Sequence, residues 1–388
     1  MQPVRIAGVA VTPFGEHPEQ TGRALFAQAT RGALADTSVP REDIDEVLYG
    51  NFIGEVTESQ GHQGPLAAEV AGTTAAATRF ESACASGGVA MRAGVRAIRS
   101  GDADVVLVGG MERMSNVDVN EATDALALAA DDLHERRVGM TFPAAYALLT
   151  EAYFREYGGS REDLAAIAVK NHDNALDNEN AHLRHEITVD DVLDAPSISD
   201  PIGLYDACPI SDGAAAVVLV SDEYAEEHDL DAPVAVTGTG QRSDTLALQR
   251  RANRAYTAAT EQAASDAYDQ AGITPADVDL VELHDCFTIA EVLALEALGF
   301  YEPGAGISAA ADGETTRDGQ LPVNLSGGLK AKGHPVGATG VAQIVELTEL
   351  LQGEHHHSDA VSDARVGLAH NAGGTVASAV VHVLEVVA

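Results

Sequence analysis

Cysteine and histidine residues of this 388-residue chain stand where strand-like runs end and helix-like runs begin. Cys84, in "ESACASGGVA", precedes "VAMRAGVRAIRSG", whose apolar residues recur at helical spacing. A thiol at such a turn receives partial positive charge from the helix N-terminus, which lowers its pKa and favours the nucleophilic thiolate. A buried structural cysteine is the alternative, and Cys84 alone leaves both interpretations open.

His334 favours the nucleophile. It lies in "NLSGGLKAKGHPVGATGVAQIV", where glycines surround it ahead of a second amphipathic pattern. A histidine held at a glycine-rich helix start can take a proton from a thiol and hydrogen-bond a developing charge. Lys332 precedes Gly333, so the residue order of a phosphate-binding P-loop is not present. A structural histidine remains the alternative.

Three more residues of these types follow apolar runs. His284 and Cys286 come after "DLVEL", and His370 comes after "ARVGLA"; α/β sheets usually place functional side chains at such strand ends. In "HNAGG" (370–374) adjacent glycines allow close backbone approach, so its N–H groups are candidates for an oxyanion hole. Two cysteines and three histidines at element ends predict one shared site.

The other cysteine and histidine positions are interpreted structurally. Cys208, in "LYDACPISDGAAAVVLV", precedes a buried strand and is predicted to pack there. The "EHHHSD" run at 354–359 is interpreted as a solvated loop rather than a metal site, and no metal is predicted. Three cysteines do not make a disulfide framework, which favours a reducing cytoplasm.

The order of elements predicts an α/β protein with a duplicated architecture. A strand–helix–strand run opens the chain, and a comparable run starts again near residue 232. Residues from about 115 to 205 change character, with Asn, His and Asp clusters and few strands. We therefore predict an N-terminal half formed by residues 1–114 and 206–231, an inserted loop domain at 115–205, and a C-terminal half at 232–388.

The charge of the chain limits its partners. Sixty acidic residues face 23 basic ones, and the net charge is −37. Such a surface repels nucleic acid and anionic membranes and is typical of adaptation to high salt. The N-terminus shows no signal-peptide pattern, and no apolar run reaches the length of a membrane span. We expect a soluble, cytoplasmic protein.

Five motifs in order, "SACASG", "VVLVGGMERMS", "HDCF", "NLSGGLKAKGHPVGATG" and "HNAGG", resemble the thiolase superfamily over the whole chain, in particular its sterol carrier protein x and archaeal branches. This resemblance implies a five-layered αβαβα fold of two similar halves with a loop domain that helps to hold coenzyme A.

The resemblance also implies residue roles. Cys84 matches the nucleophile that accepts the acyl group, and His334 matches the base that activates it. His284 stands where the commoner thiolases carry an asparagine, and Cys286 of "HDCF" replaces the acid/base cysteine that those enzymes carry in "CxGGG", where this chain has His370. The remaining implied positions are the backbone N–H groups of Cys84 and Ala372 as oxyanion donors, support from His370 and Gly373, and substrate contacts at Met140, Phe142, Ser326 and Gly327.

The implied activity is reversible Claisen condensation of two acetyl-CoA molecules, or thiolysis of a 3-ketoacyl-CoA, through an acyl-cysteine. Coenzyme A is then substrate and product, and no covalently bound cofactor is expected. A 3-ketoacyl carrier-protein synthase and an acyl-CoA-binding scaffold subunit are the alternatives. Expected partners are a second or further copies in a homodimer or homotetramer, a small zinc-ribbon/OB-fold protein, and hydroxymethylglutaryl-CoA synthase.

Overall fold

The computed structural model describes residues 4–387 of the chain. Its strands are β1 (Val4–Val11), β2 (Glu46–Gly50), β3 (Ala76–Phe80), β4 (Val105–Glu112), β5 (Ser197–Ser199), β6 (Ile202–Gly203), β7 (Gly213–Ser221), β8 (Val234–Ser243), β9 (Leu280–Glu282), β10 (Val366–Gly373) and β11 (Ser378–Val386). Its α-helices are α1 (Gly22–Ala35), α2 (Gly54–Thr57), α3 (Gln63–Ala71), α4 (Ser86–Ser100), α5 (Val119–Leu126), α6 (Phe142–Tyr157), α7 (Arg161–Ala175), α8 (Val189–Asp194), α9 (Asp222–Glu227), α10 (Ala258–Ala271), α11 (Thr288–Ala297), α12 (Gly306–Ala311), α13 (Gly328–Ala331) and α14 (Thr339–Gln352).

The predicted duplication is confirmed by the sheet topology. The N-terminal strands pair in the order β3-β2-β4-β7-β1. The C-terminal strands, read from the opposite edge, pair in the order β9-β10-β11-β8, which corresponds to β2-β4-β7-β1, and a single parallel bridge of Val281 to Val323 stands in the place of β3. Strands β1 and β8 touch over two residue pairs, Val4 with Val236 and Arg5 with Ala235. The two sheets therefore join edge to edge at equivalent strands.

Helices complete the predicted five layers. The long helices α4 and α14 pack on each other, and each of them contacts strands of both halves. On the outer faces, α1 packs against β1 and β7, and α10 packs against β8 and β11. The chain thus forms the αβαβα arrangement, and the two central helices are the ones that begin just after Cys84 and His334.

Glycines set how closely the central layer packs. A Cβ at Gly110 of β4 would lie 2.2 Å from the carbonyl oxygen of Gly337, and a Cβ at Gly87 of α4 would lie 2.8 Å from the same atom. The start of α14 therefore reaches the N-terminal half only because these positions lack a side chain. This contact brings the turn of His334 next to the turn of Cys84.

The segment inserted into the N-terminal half has few strands, as expected, and is mainly helical. Residues 115–205 contain α5 to α8 and the short hairpin β5–β6. Helix α7 packs against α11, α12 and α13 of the C-terminal half, and α6 shares a core cluster with Phe287 and Leu329. The boundaries of the loop domain stay a prediction.

The expectation of a solvated loop at "EHHHSD" is wrong for two of its three histidines. His355 and His357 are buried. The His355 Nε2 atom lies 2.9 Å from a Glu346 carboxylate oxygen, and the His357 Nε2 atom lies 3.0 Å from the Asn174 carbonyl oxygen. The run packs on α14 and on the end of α7, and its two buried histidines have polar partners there.

All three lysines of the chain are buried as well. Lys170 is ion-paired with Glu291, and Lys332 is ion-paired with Glu346. The Lys330 ammonium group lies over the face of the Tyr205 ring. The positive side-chain charge of the described surface is therefore carried by arginine. Across residues 4–387, no helix is both long and apolar enough to cross a bilayer.

Gly110→Ala should destabilise the fold, because the added methyl group meets backbone at the Gly337 contact. We expect a loss of about 1 to 3 kcal/mol in the free energy of unfolding, measured by denaturant titration in molar KCl. Gly61→Ala is the control, since no atom lies within 4 Å of a Cβ there. Equal stability of the two variants would contradict the close-packed central layer.

Candidate active site

Cys84 stands in a tight turn between β3 and α4. Ala83 adopts a left-handed conformation with φ of 50°, an uncommon state for a residue with a side chain. The Ser86 hydroxyl accepts the Ser82 N–H at 2.9 Å and donates to the Ala83 carbonyl at 2.6 Å. These bonds hold the turn so that the Cys84 side chain opens into a cavity.

That cavity contains all three cysteines of the chain. It measures about 300 Å³ and is lined by Cys84, Cys208 and Cys286 together with His334. The Cys208 N–H donates to the Cys286 carbonyl at 3.1 Å, which fixes the two segments side by side. The sequence predicts only a packing role for Cys208. No motif there indicates that its segment forms a wall of the same cavity as Cys84.

His334 presents a proton-accepting nitrogen. The Thr339 hydroxyl, at the first turn of α14, donates to the Pro335 carbonyl at 3.0 Å. It therefore accepts the bond from His334 Nδ1, which measures 2.7 Å, and the ring proton is assigned to Nδ1. The lone pair is then on Nε2, a buried atom without a hydrogen-bond partner. This is the protonation state of a general base.

His284 has the opposite tautomer because of Asn371. The Asn371 Oδ1 atom accepts the Gly88 N–H at 3.2 Å, and its Nδ2 donates to the Cys84 carbonyl at 3.2 Å and to His284 Nδ1 at 3.1 Å. Since Nδ1 accepts, the proton is assigned to Nε2, which is also buried and unpartnered. His284 is therefore a donor suited to a developing oxyanion.

The three side chains meet as predicted from the sequence. The Cys84 sulfur and one ring nitrogen of each histidine lie within 4.8 Å of one another, and the two rings stand edge to face with centroids 4.9 Å apart. These three ligand types could meet at a metal ion. Ligation through His284 Nε2 would require a proton on Nδ1, facing the Asn371 amide donor, so the hydrogen-bond pattern fits catalysis by proton transfer instead.

Burial favours the neutral thiol of Cys84, whereas the sequence predicts a thiolate. It raises the pKa of Cys84 to about 12 and lowers the pKa of His334 to about 3. It also lowers the pKa of His284, with a further contribution from His334. The effect of the helix N-terminus is therefore outweighed by desolvation, and the resting pair is a neutral thiol beside a neutral imidazole.

The backbone donor at the sulfur is Gly374. Its N–H, together with that of Cys84 itself, is hydrogen-bonded to the Cys84 sulfur. Ala372 and Gly373, the positions taken from the motif, lie inside β10 and pair with β11, and neither lines the cavity. Gly374 follows the strand with φ of +61° and does line it. The strand runs to Gly373, four residues beyond the apolar run that ends at Ala369, and the donor lies two residues after Ala372.

His370 is held apart from the cavity. Its Nε2 atom lies 3.0 Å from the Thr260 hydroxyl on the outer helix α10, and its carbonyl accepts the Gln343 side-chain amide at 2.9 Å. The side chain therefore faces the outer layer. Its predicted support of the oxyanion can act only through the strand that carries Asn371.

The four predicted substrate contacts divide into two pairs. Phe142 lines the cavity, and Met140 lines a smaller pocket that adjoins it. Ser326 is buried and donates to the Glu282 carboxylate at 2.6 Å, and Gly327 forms a left-handed turn with φ of +99°. Ser326 and Gly327 therefore shape the loop before His334 and do not line the cavity.

Asp285 links the "HDCF" loop to the loop that precedes His334. Its carboxylate accepts the N–H of Leu329 at 2.7 Å and of Lys330 at 3.2 Å, and the Asn171 amide of α7 at 2.8 Å. A Cβ at Gly328 would lie 2.4 Å from this carboxylate. The "HDCF" loop is thereby fixed against the loop that leads to His334.

Thr339→Val should weaken the base by releasing His334 Nδ1. Alkylation of Cys84 by iodoacetamide near neutral pH should slow by about tenfold or more, because general-base assistance is worth about 10² to 10⁴ in rate. Mass spectrometry of the Cys84 peptide measures it. The control is Thr348→Val on the same helix, whose hydroxyl bonds Ile344. An unchanged rate in Thr339→Val would refute the assigned base.

Known proteins share this architecture. The chain matches the family descriptions "Thiolase, N-terminal domain" over residues 4–223 and "Thiolase C-terminal domain-like" over residues 240–386. It is 44% identical to an acetyl-CoA acetyltransferase of Methanothermobacter thermautotrophicus, covering 99% of this chain and all of that one, and 30% identical to human sterol carrier protein 2, covering 95% and 70%.

Two solved structures share the fold. The "Ltp2-ChsH2(DUF35) aldolase" superposes with a TM-score of 0.83 at 24% identity, covering 99% of this chain and 98% of that one. Human mitochondrial 3-ketoacyl-CoA thiolase in complex with CoA superposes with a TM-score of 0.79 at 19% identity, covering 100% and 98%. Duplicated sheets, a nucleophile turn at the central layer and matches over both halves lead to one conclusion: the chain belongs to the thiolase family.

Proposed function

We propose that this thiolase transfers an acyl group between coenzyme A thioesters, with Cys84 as nucleophile and Cys286 as acid/base. The observation that carries the proposal is a Cys84 thiol that shares a cavity with a proton-accepting His334 and the Cys286 thiol, and that lies within 4.8 Å of a ring nitrogen of the proton-donating His284. The match to the acetyl-CoA acetyltransferase of Methanothermobacter thermautotrophicus supports acetyl-CoA as substrate.

In the first half-reaction, the Cys84 sulfur attacks the thioester carbonyl while its proton passes to His334 Nε2. The negative charge that forms on the carbonyl oxygen is held by the backbone N–H groups of Gly374 and Cys84. When the intermediate collapses, the sulfur of coenzyme A leaves and takes the proton from His334. The free thiol of coenzyme A departs, and the acyl group stays on Cys84.

In the second half-reaction, Cys286 first loses its thiol proton to solvent in the cavity, and the thiolate then takes a proton from the α-carbon of an acetyl-CoA. His284 Nε2–H donates to the thioester oxygen as the enolate forms. Neutral His334 carries no hydrogen on Nε2, so this hydrogen bond comes from His284 alone. The carbanion attacks the acyl group on Cys84, and a 3-ketoacyl-CoA is released. The same groups run in reverse for thiolysis.

A second thiol favours a thiolase over a carrier-protein synthase. The alternative condensing enzyme needs one cysteine and two histidines, and it has no use for a thiol placed to move an α-proton. Cys286 shares the cavity with Cys84. An inert acyl-CoA-binding scaffold would have no use for the two opposed histidine tautomers.

We further propose the assembly and the setting of the enzyme. The edge strand β3 of the N-terminal half supports a homodimer or homotetramer, because its free edge can pair with another copy. The solved complex that joins Ltp2 to a DUF35 chain supports a small second subunit. Three free thiols support a reducing cytoplasm, and buried lysines with a net charge of −37 support a high-salt setting.

The purified chain should cleave acetoacetyl-CoA with free coenzyme A. The assay follows loss of the substrate in molar KCl, with and without a co-expressed small zinc-ribbon/OB-fold partner. Cys84→Ala should form no acyl-enzyme. Cys286→Ala should still acylate Cys84 but lose condensation by a factor on the order of 10² to 10⁴. Mass spectrometry after mixing with acetyl-CoA separates the two steps.

The matched control is Cys208→Ala, which removes the third thiol of the cavity and should retain both steps. No thiolysis by the wild-type chain under either condition would overturn the proposed enzyme. An acyl group found on Cys286 in the wild type would overturn the division of roles between the two cysteines.

Acylation should persist in mild acid. Burial lowers the pKa of His334 to about 3, so the imidazole stays a neutral base well below its ordinary value of 6.5. The rate of acyl-enzyme formation, measured by quenched flow between about pH 8 and pH 5, should show no decline centred near 6.5. Such a decline would contradict the buried neutral base.

The pH range has a lower limit set by stability. A histidine whose pKa is lowered by folding binds a proton in the unfolded chain first, so stability falls as pH drops below about 6.5. Circular dichroism at each pH must therefore show a folded protein before its acylation rate is used.

A further inference from the structure

Tyr146 joins the two thiols of the cavity through hydrogen bonds. It lies on the first turns of α6, fully buried, and its ring stacks on Phe287 with centroids 4.4 Å apart and planes 23° from parallel. Its hydroxyl donates to the Gly374 carbonyl oxygen at 3.1 Å, and Tyr146 and Cys286 line the same cavity, where the phenol oxygen is placed to hydrogen-bond the thiol. A stacked, buried ring on a helix holds this hydroxyl in one place.

The direction of each bond follows from the single hydrogen of a phenol. A carbonyl oxygen can only accept, so the hydroxyl hydrogen of Tyr146 points to Gly374. The bond to Cys286 must then use the thiol hydrogen, with the Tyr146 oxygen accepting. In the resting enzyme the chain of bonds runs from Cys286 S–H to Tyr146 O–H to Gly374 C=O.

Gly374 links this chain to the nucleophile. Its N–H is hydrogen-bonded to the Cys84 sulfur, while its carbonyl accepts from Tyr146. One residue therefore carries both the donor near Cys84 and the acceptor that fixes Tyr146. Positioning of Tyr146 is coupled to the geometry of the oxyanion hole through Gly374.

We propose that Tyr146 is a positioning residue for Cys286, whose hydroxyl accepts the thiol hydrogen in the resting enzyme and turns to donate to the sulfur when Cys286 is ionised. The inference rests on the proposed function, in which Cys286 acts as the base. Rotation about the C–O bond of the phenol is sufficient, since the oxygen itself stays in place. The Gly374 carbonyl loses its donor only while the thiolate exists.

The surroundings of Cys286 make such a donor important. Burial raises the pKa of the Cys286 thiol, and negative charge on Cys208, Cys84 or Asp285 would raise it further, whereas the hydrogen bond from Tyr146 lowers it. Arg251 is the cation that acts on Tyr146 from the neighbouring segment. A neutral donor at the sulfur thus offsets part of the cost of forming a buried thiolate.

The protons balance over one turn of the catalytic cycle. The α-proton of acetyl-CoA moves to the Cys286 thiolate, and the Tyr146 hydrogen returns to Gly374. When Cys84 is expelled as a thiolate, it recovers a proton from the Cys286 thiol, which restores the active form. Tyr146 gains and loses no proton, so its part is orientation of the thiol and stabilisation of the thiolate.

Tyr146→Phe tests the proposal through the ionisation of Cys286. In a Cys84→Ala, Cys208→Ala background, Cys286 is the one remaining cysteine of the chain, and its alkylation rate by iodoacetamide is measured against pH. Loss of a hydrogen bond to a charged group should move the midpoint up by about one to two pH units, a tenfold to hundredfold change in the ionisation constant. An unmoved midpoint would overturn the proposal.

Tyr153→Phe is the matched control. Tyr153 lies on the same helix, is equally buried and bonds the Glu296 carboxylate at 2.5 Å, outside the cavity. The midpoint for Cys286 should stay unchanged in this variant. With the native cysteines restored, Tyr146→Phe should slow condensation by a larger factor than acylation of Cys84, and the ascending limb of its pH profile for condensation should move up.

A second probe is used if the Tyr146→Phe variant does not fold. Incorporation of 3-fluorotyrosine at position 146 keeps the shape and makes the phenol a stronger donor, so the Cys286 midpoint should move down; a shift upward or no shift would contradict the proposal. The alkylation rate of Cys286 is measured without substrate and does not depend on catalytic turnover. Failure of thiolysis in the wild-type chain therefore rejects the proposed function, whereas an unmoved midpoint rejects the part assigned to Tyr146.

Discussion

The hydrogen bonds of the buried Asp285 carboxylate fix the segments of the candidate active site relative to one another. It accepts two backbone N–H groups at the start of α13 and the side-chain amide of Asn171 from the inserted segment. Asn171 also donates to Glu291, which is ion-paired with Lys170. An unpaired carboxylate at this depth would be costly, so the network defines one relative placement of the "HDCF" loop, the loop before His334 and α7.

In that placement two neighbouring histidines carry their ring protons on opposite nitrogens. Their rings meet edge to face, yet Thr339 assigns the proton of His334 to Nδ1 while Asn371 assigns that of His284 to Nε2. Burial keeps both rings neutral. A neutral base can accept the Cys84 proton at the moment of attack, and a neutral donor can hold the enolate oxygen without forming a salt bridge to the thiol. The proposed acylation step therefore starts from an uncharged pair, the Cys84 thiol and the His334 imidazole.

The distribution of charge separates the interior from the surface. Every lysine of the chain is buried, and Lys170 and Lys332 neutralise glutamates there. The surface keeps most of the excess of 60 acidic over 23 basic residues. At high ionic strength the repulsion among exposed carboxylates is screened, whereas buried ion pairs are screened much less. High salt therefore weakens the repulsion at the acidic surface and leaves the buried ion pairs largely unchanged.

The sequence by itself determined the family, the duplicated α/β order, and the nomination of Cys84, His284, Cys286 and His334, because local motifs and periodicity encode them. Only the tertiary structure decided the protonation states, since desolvation reverses the helix effect on Cys84. It also decided that Gly374 rather than Ala372 donates to the sulfur, that Cys208 joins the cavity, and that Tyr146 contacts Cys286. These features arise between segments far apart in the chain, where burial and hydrogen-bond partners have no signature in local sequence.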